Sequence, residues 1–151
     1  CNYENYWIKI EDSIEKIQET DLEVDLSFFA SAMGTKGFIS NIREDNLSVG
    51  HLFRAAFNHM AKNYFDCAAR LSGTQYFEKI VFSGGLSQKL STLRKVIQER
   101  FQKEYRISPT SEDTLLGLLV VSCVCRGQYK SIQDAVGDFT EMNVKGHSWT
   151  N

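Results

Sequence analysis

The residues with the clearest chemical meaning are two adjacent glycines, Gly84 and Gly85, which follow the apolar run Ile80–Phe82 and precede a helical pattern. Glycine permits backbone dihedral angles that other residues avoid, and it has no Cβ atom to keep a ligand from the main chain. A helix that begins there would add unpaired N–H groups. Ligands of open α/β sheets bind beyond the carboxyl ends of strands. The sequence therefore predicts a nucleotide-binding turn at Ser83–Ser87, with a tight strand-to-helix connection without ligand as the alternative.

Other patterns that would mark a site are missing from the sequence. No Gly-Lys-Ser/Thr accompanies the glycine pair, so the turn is not a Walker A loop, and no third glycine completes the fingerprint of a Rossmann-like redox domain. His51 and His59 are too far apart along one helix to form a metal-binding pair. The cysteines form no CxxC pair, and we expect Cys67, Cys123 and Cys125 to be small buried residues in a reducing compartment. No catalytic or metal-ligating residue is predicted.

The elements that position the turn follow from hydrophobic periodicity. The first half of the chain predicts a helix, two short extended segments and a long helix, over residues 3–17, 24–30, 37–42 and 48–71. A turn at Ala32–Lys36 separates the two extended segments. Asn46 or Ser48 can cap the long helix, and Gly73 can end it.

The second half predicts strands over residues 77–82 and 105–108 and helices over residues 90–101, 115–124 and 131–139. Ser111 and Ser131 can cap the last two helices. The helix over 115–124 is apolar on nearly every side, so we expect it to be sandwiched between layers. The cations around Arg94 alternate with acids, which indicates a solvated helix face. This alternation of strands and helices predicts an α/β domain with a largely parallel sheet and helices on both faces.

Composition and charge limit the classes of partner. The 151 residues suit one domain, and a formal net charge of -2 points to neither nucleic acid nor an anionic membrane. The longest apolar run, Leu115–Cys125, is too short to span a bilayer. We therefore predict a cytoplasmic protein. The first residue is Cys1, not Met, which suggests a fragment of a longer protein, and the tail over residues 143–151 is expected to be disordered.

Three blocks of the sequence resemble the C-terminal domain of FGGY carbohydrate kinases. They are Asn46–Ala55, with its cap and Arg-Ala pair, Ile80–Gly85, which is similar to the adenosine loop of the family, and Glu112–Leu119. The resemblance covers roughly residues 21 to 140, and Phe38–Ile42 and Gly127–Ser131 are most similar to the sedoheptulokinase branch. It implies the ribonuclease H-like fold of actin, hexokinase and the heat-shock ATPases.

The resemblance also implies a function. The full-length enzyme would transfer the γ-phosphoryl group of Mg-ATP to a ketose such as sedoheptulose or xylulose. The adenosine and α-phosphate would be contacted by Ser83, Gly84, Gly85, Leu86 and Ser87. Glu112 and Asp113 would line the adenine pocket, although both acids equally fit the capping of the helix that follows.

The resemblance places several parts of the machinery outside this chain. The catalytic Asp lies upstream of it, the sugar site belongs mostly to an N-terminal domain, and no Asp-x-Gly-Thr hairpin occurs here. We therefore expect no kinase activity from the chain alone, with the N-terminal domain and the sugar as partners and a homodimer left open. Two departures stand out: Phe28–Gly34 lacks the Pro and Gly-x-Arg of the family, and Gly117-Leu118-Leu119 replaces Gly-Ala-Ala. A non-catalytic interaction or regulatory domain that retains the fold is the alternative.

Overall fold

The computed structural model describes residues 4–28, 30, 34–72, 77–108, 110 and 112–144. These residues form a mixed α/β fold with six helices and two small sheets. The helices are α1 (Glu4–Glu15), α2 (Val49–Ser72), α3 (Gly85–Lys89), α4 (Ser91–Phe101), α5 (Asp113–Cys125) and α6 (Ile132–Val144). The strands are β1 (Glu23–Asp25), β2 (Phe38–Ser40), β3 (Lys79–Phe82) and β4 (Glu104–Ile107). The predicted α/β class is confirmed.

The sheet of the second half is a parallel pair, as predicted. Ile80 of β3 lies opposite Tyr105 of β4, and Phe82 lies opposite Ile107. Because parallel strands need a crossover connection, α3 and α4 link the end of β3 to the start of β4. The strands of the first half, β1 and β2, pair antiparallel instead.

The strand predicted over residues 24–30 is shorter in the structure. β1 ends at Asp25, whose Oδ1 accepts a hydrogen bond of 2.7 Å from the Ser27 N–H. This local bond turns the backbone away from the ladder, as Asp side chains do at the ends of strands. Part of the predicted Ala32–Lys36 turn lies outside the described residues.

The main core lies where α1, α2 and α4 pack on β3. Its buried residues come from all four elements and from the link between α3 and α4: Ile14, Phe57, Ala61, Phe82, Leu90, Leu93, Val96 and Ile97. Gly50 sets the distance between α1 and α2, because a Cβ atom there would lie 2.4 Å from the Ser13 carbonyl oxygen. A smaller cluster of Leu22, Val24 and Ala55 joins β1 to α2.

The Asn46 side chain anchors the segment that enters α2. It is 2% exposed; its Nδ2 donates to Asp21 Oδ1 at 2.9 Å and to the Asn41 carbonyl at 2.8 Å, and its Oδ1 accepts from the Arg43 N–H at 2.7 Å. The bond from Asn46, followed by that from Arg43, lowers the pKa of Asp21 to about 2. Of the two residues predicted to cap α2, Ser48 is the one that does so. Asn46 is instead a buried side chain that connects Asp21, Asn41 and Arg43.

The outer side of this arrangement is open. Helices cover the face of β3 that carries Phe82, whereas β4 is exposed over its whole length and the opposite face of β3 carries Lys79 and Val81 in exposed positions. The predicted second helical layer is therefore not formed by the described residues. Within the described residues α5 is not sandwiched between layers either, since Leu118 is 62% exposed, so that expectation is wrong. Among the described residues, no helix, α5 included, has the length and apolar character needed to cross a bilayer.

The remaining predictions have mixed outcomes. Cys67 and Cys123 are half-buried, but Cys125 is exposed, so its predicted burial is wrong. α6 runs to Val144 and so takes in the first two residues of the predicted tail. Gly73, Ser111 and residues 145–151 lie outside the described residues, and the predictions made for them stay predictions.

Candidate functional site

The glycine pair lies where β3 ends and α3 begins. Gly84 has φ 83° and ψ 156°, and Gly85 is the first residue of α3. A positive φ of this kind strains any residue with a Cβ atom, so the turn requires glycine at position 84. The helix predicted over residues 90–101 is α4, and a short helix that was not predicted, α3, precedes it; the extended backbone of Leu90 separates the two. Since α3 has five residues, its dipole adds little to anion binding at the turn.

The position that a Cβ atom would take is open at both glycines. A Cβ atom at Gly84 or at Gly85 would meet nothing within 4 Å among the described residues. This differs from Gly50, where the missing side chain allows two helices to touch. The main chain at Gly84 and Gly85 is thus accessible to a molecule from outside.

Ser87 stabilises the turn from within. Its hydroxyl donates to the Ser83 carbonyl at 2.6 Å and lies 3.2 Å from the Gly84 carbonyl. The Gln88 N–H also donates to the Gly84 carbonyl, at 3.1 Å. The Ser87 hydroxyl proton is therefore used by the protein, and a ligand would meet its oxygen as an acceptor.

Arg94 fixes the C-terminal end of α3. One of its nitrogens, Nη1, donates to the Ser87 carbonyl at 2.8 Å and to the Gln88 carbonyl at 2.7 Å. The prediction of a solvated cationic face missed this role, because the sequence pattern does not show that Leu90 breaks the helix and turns Arg94 back onto α3. Through these carbonyls Arg94 holds the turn in place.

Asp113 connects the start of α5 to the turn. Its Oδ1 accepts a 2.5 Å hydrogen bond from the Ser108 hydroxyl, and its Oδ2 is buried without a partner of ordinary hydrogen-bond length. The Ser108 bond, with smaller contributions from the Ser83 hydroxyl and the Gly84 N–H, lowers the pKa of Asp113 below its ordinary 3.8. Glu112 is exposed, and its side chain makes no capping bond. The structure thus brings Asp113, but not Glu112, to the predicted site.

Two grooves flank the turn, and Gly85 and Leu86 line both of them. The first, here named the edge groove, has a volume of about 480 Å³ and follows the free edge of β3. Its other walls are Tyr64 on α2 and Leu93, Ile97 and Phe101 on α4. The second, here named the α1–α3 groove, has a volume of about 750 Å³ and is lined by Trp7, Ile8, Glu11, Gly85, Leu86, Lys89 and Leu90. Neither Glu112 nor Asp113 lines either groove.

The edge groove exposes unpaired main-chain groups. The Phe82 carbonyl accepts from the Ser108 N–H at 2.8 Å, on the side of β4. Since main-chain groups alternate along a strand, those of Val81 point to the opposite edge. No strand within the described ranges pairs with that edge.

His59 is a structural link that the sequence analysis did not find. Its Nδ1 lies 3.1 Å from the Leu26 nitrogen, and its Nε2 lies 3.4 Å from Asp25 Oδ1. Hydrogen bonds from Ser27, and then the charge of His59, lower the pKa of Asp25. Within the part of the chain that the structure describes, no three His, Cys, Asp or Glu side chains gather as a metal-binding set.

No model of a known protein family matches the chain. No curated protein matches it closely enough to count as related.

Proposed function

We propose that the Ser83–Ser87 turn binds the adenosine part of ATP within a carbohydrate kinase that phosphorylates a ketose such as sedoheptulose or xylulose. One observation carries the proposal: the glycine pair is open to solvent on the side where a Cβ atom would stand. A glycine needed only for a close protein contact has neighbours there, as Gly50 does.

The surroundings of the turn support the proposal. Arg94 and Ser87 hold the turn in one conformation, which lowers the entropy cost of binding. The parallel β3 and β4 with their helical crossover are compatible with a ribonuclease H-like sheet, in which β3 would have a further neighbour along its free edge.

The described residues offer a place for the adenosine of ATP, and we assign its metal ion to the phosphates. The space at Gly84 and Gly85 suits a ligand that approaches the main chain, so these residues, with Ser83, Leu86 and Ser87, would hold the adenosine. We assign none of the described residues to Mg²⁺, which the phosphates of ATP would bring. When bound, Mg-ATP supplies the phosphoryl group.

The test is Gly85→Val. A Cβ atom at Gly85 meets nothing within 4 Å among the described residues, and Gly85 does not have a positive φ, so the variant is expected to fold while its side chain blocks the ligand. We expect ATP affinity, measured by calorimetry, to fall by about tenfold or more, which corresponds to about 1.4 kcal/mol. Gly117→Val is the matched control, because Gly117 is an equally open glycine on α5.

Equal ATP affinity in wild type and Gly85→Val would contradict the assignment of the turn. A second expectation concerns catalysis: the chain alone has no ketose kinase activity. ATP-dependent phosphorylation of sedoheptulose or xylulose by the purified chain would show that this expectation is wrong.

A non-catalytic interaction domain is the second candidate, and the exposed apolar surface favours it. Leu115, Leu118 and Leu119 on α5 are 61%, 62% and 47% exposed, and a helix with several exposed large apolar residues is typical of an interaction surface. Calorimetry separates the two candidates, because an interaction domain without nucleotide would show no heat of ATP binding.

A further inference from the structure

The α1–α3 groove differs in chemistry from the edge groove. Its walls are the exposed apolar side chains of Trp7, Ile8 and Leu86, and its floor includes Gly85, above which there is open space. Lys89 and Glu11 add a cation and an acid at its border. A cavity with an aromatic wall and a few polar groups suits a flat heteroaromatic ring.

Trp7 is held in position by the core. Its ring packs edge-to-face on Phe53, with 6.3 Å between the ring centroids and 82° between the planes. Phe53 packs in the same way on Phe57, which is buried. Trp7 nevertheless remains 43% exposed, so a ring of fixed orientation still has surface to offer a ligand.

Glu11 is fixed as well. Its Oε1 accepts from the Ser91 hydroxyl at 3.1 Å and lies 3.3 Å from the Thr92 nitrogen at the start of α4. These bonds hold α1 against α4, so the distance between Trp7 and the glycine turn is set by the fold. The groove is thus pre-formed, which favours binding because little side-chain freedom is lost.

The edge groove is less suited to a ring. Besides Tyr64 and Phe101, one wall is the main chain of β3 along the edge that no described strand pairs, and the groove opens onto the core residues Leu93 and Ile97. Free N–H and C=O groups beside an apolar surface are what an added strand of polypeptide would satisfy.

We propose that the α1–α3 groove is the base pocket of the nucleotide site, with the purine ring stacked on Trp7 and the ribose at Gly85. This inference rests on the proposed function, because it assigns the part of ATP that lies beyond the turn. Stacking on an aromatic side chain favours binding of any nucleobase, because every base has a π face.

Tryptophan fluorescence tests the pocket in the full 151-residue chain. The chain has two tryptophans, Trp7 and Trp149, so Trp149→Phe leaves Trp7 as the single emitter. ATP and adenosine are expected to quench Trp7, and inorganic triphosphate is expected to leave it unchanged. Trp7→Ala should weaken ATP binding by roughly tenfold in calorimetry, and Trp7→Phe should restore most of it.

Matched variants separate this inference from the proposed function. Tyr64→Ala removes an aromatic wall of the edge groove, and Tyr6→Ala removes an exposed aromatic side chain on α1 that lines neither groove; both should bind ATP like the wild type. Thermal melting checks that each variant is folded.

Two results would overturn the inference. If ATP binds and Gly85→Val weakens it, but Trp7→Ala has no effect and Tyr64→Ala does, the base lies in the edge groove and the turn assignment stands. If no nucleotide binds to the wild type, both the pocket and the proposed function are wrong.

Discussion

Asp113 is a single side chain that joins two parts of the site distant in sequence. Its bond to the Ser108 hydroxyl ties the start of α5 to the end of β4, and its carboxylate lies beside Ser83 and Gly84. Its position in the sequence is compatible with a helix cap and with the lining of a pocket. The structure gives it a third role, which is to tie the start of α5 to the end of β4, beside the turn.

The lowered pKa of Asp113 predicts how its contribution depends on pH. The folded state favours the carboxylate, so the stabilisation is present above the unfolded pKa of 3.8 and is lost as the pH falls through the lower folded value. Asp113→Asn should lower the melting temperature at neutral pH, and the difference from wild type should shrink as the pH falls below 3.8. Thermal unfolding followed by circular dichroism measures this.

Glu112→Gln is the control for Asp113→Asn. The Glu112 side chain is exposed and makes no capping bond, so its replacement should change the melting temperature little at any pH. An Asp113→Asn difference that stays constant with pH would mean that the charge of the carboxylate is not the cause.

The helices could be predicted from the sequence where their signals are local. The caps at Ser48 and Ser131 are confirmed, since their hydroxyls accept from the His51 and Asp134 N–H groups at 3.3 and 3.1 Å. An apolar stripe and a cap lie within a few residues of each other, so the sequence contains them. The break at Leu90 could not be predicted, because it depends on burial of that side chain between elements distant in sequence.

In the candidate site, too, only the features with a local sequence pattern could be predicted. The turn at Gly84 and Gly85 has a local pattern, and the structure places it at the end of a strand as expected. The edge groove joins α2, α4 and β3, the α1–α3 groove joins two helices, and Asp113 reaches Ser108 after β4, so no single segment encodes these surroundings. The sequence therefore locates the turn but not its surroundings.

The connection between α3 and α4 depends on Arg94, and replacing this residue should lower the free energy of unfolding measurably. Arg94→Ala leaves the Ser87 and Gln88 carbonyls without these donors, and hydrogen bonds of charged groups are worth about 1.5–3 kcal/mol. We expect a loss of about 1–3 kcal/mol in urea unfolding. Hydrogen exchange should be faster at the Leu90 N–H, which donates to the Leu86 carbonyl at 3.0 Å.

Lys95→Ala is the matched control for that connection. Lys95 is the exposed neighbour of Arg94, and exposed substitutions usually change stability by less than about 0.5 kcal/mol. Equal losses in Arg94→Ala and Lys95→Ala would show that the bonds to α3 do not stabilise the connection.

Across the molecule as a whole, burial is uneven. The main core joins α1, α2, α4 and β3, whereas α5 packs mainly on α6 and has one buried residue, Val120. The apolar character of α5 was read correctly from the sequence. Its predicted place between layers was wrong, because the described residues supply no layer to cover its outer side.

Because burial is uneven, the same Leu→Ala substitution should change the free energy of unfolding by very different amounts at two sites. Leu93 is 1% exposed in the main core and Leu118 is 62% exposed on α5. Leu93→Ala should lower the free energy of unfolding by about 2–5 kcal/mol, since it removes buried methyl groups and leaves a cavity. Leu118→Ala should change it by less than about 0.5 kcal/mol, because that side chain is already in contact with water. Urea unfolding monitored by circular dichroism measures both. A large loss in Leu118→Ala would mean that α5 is covered in solution, by another copy of the chain or by a part of it outside the described residues.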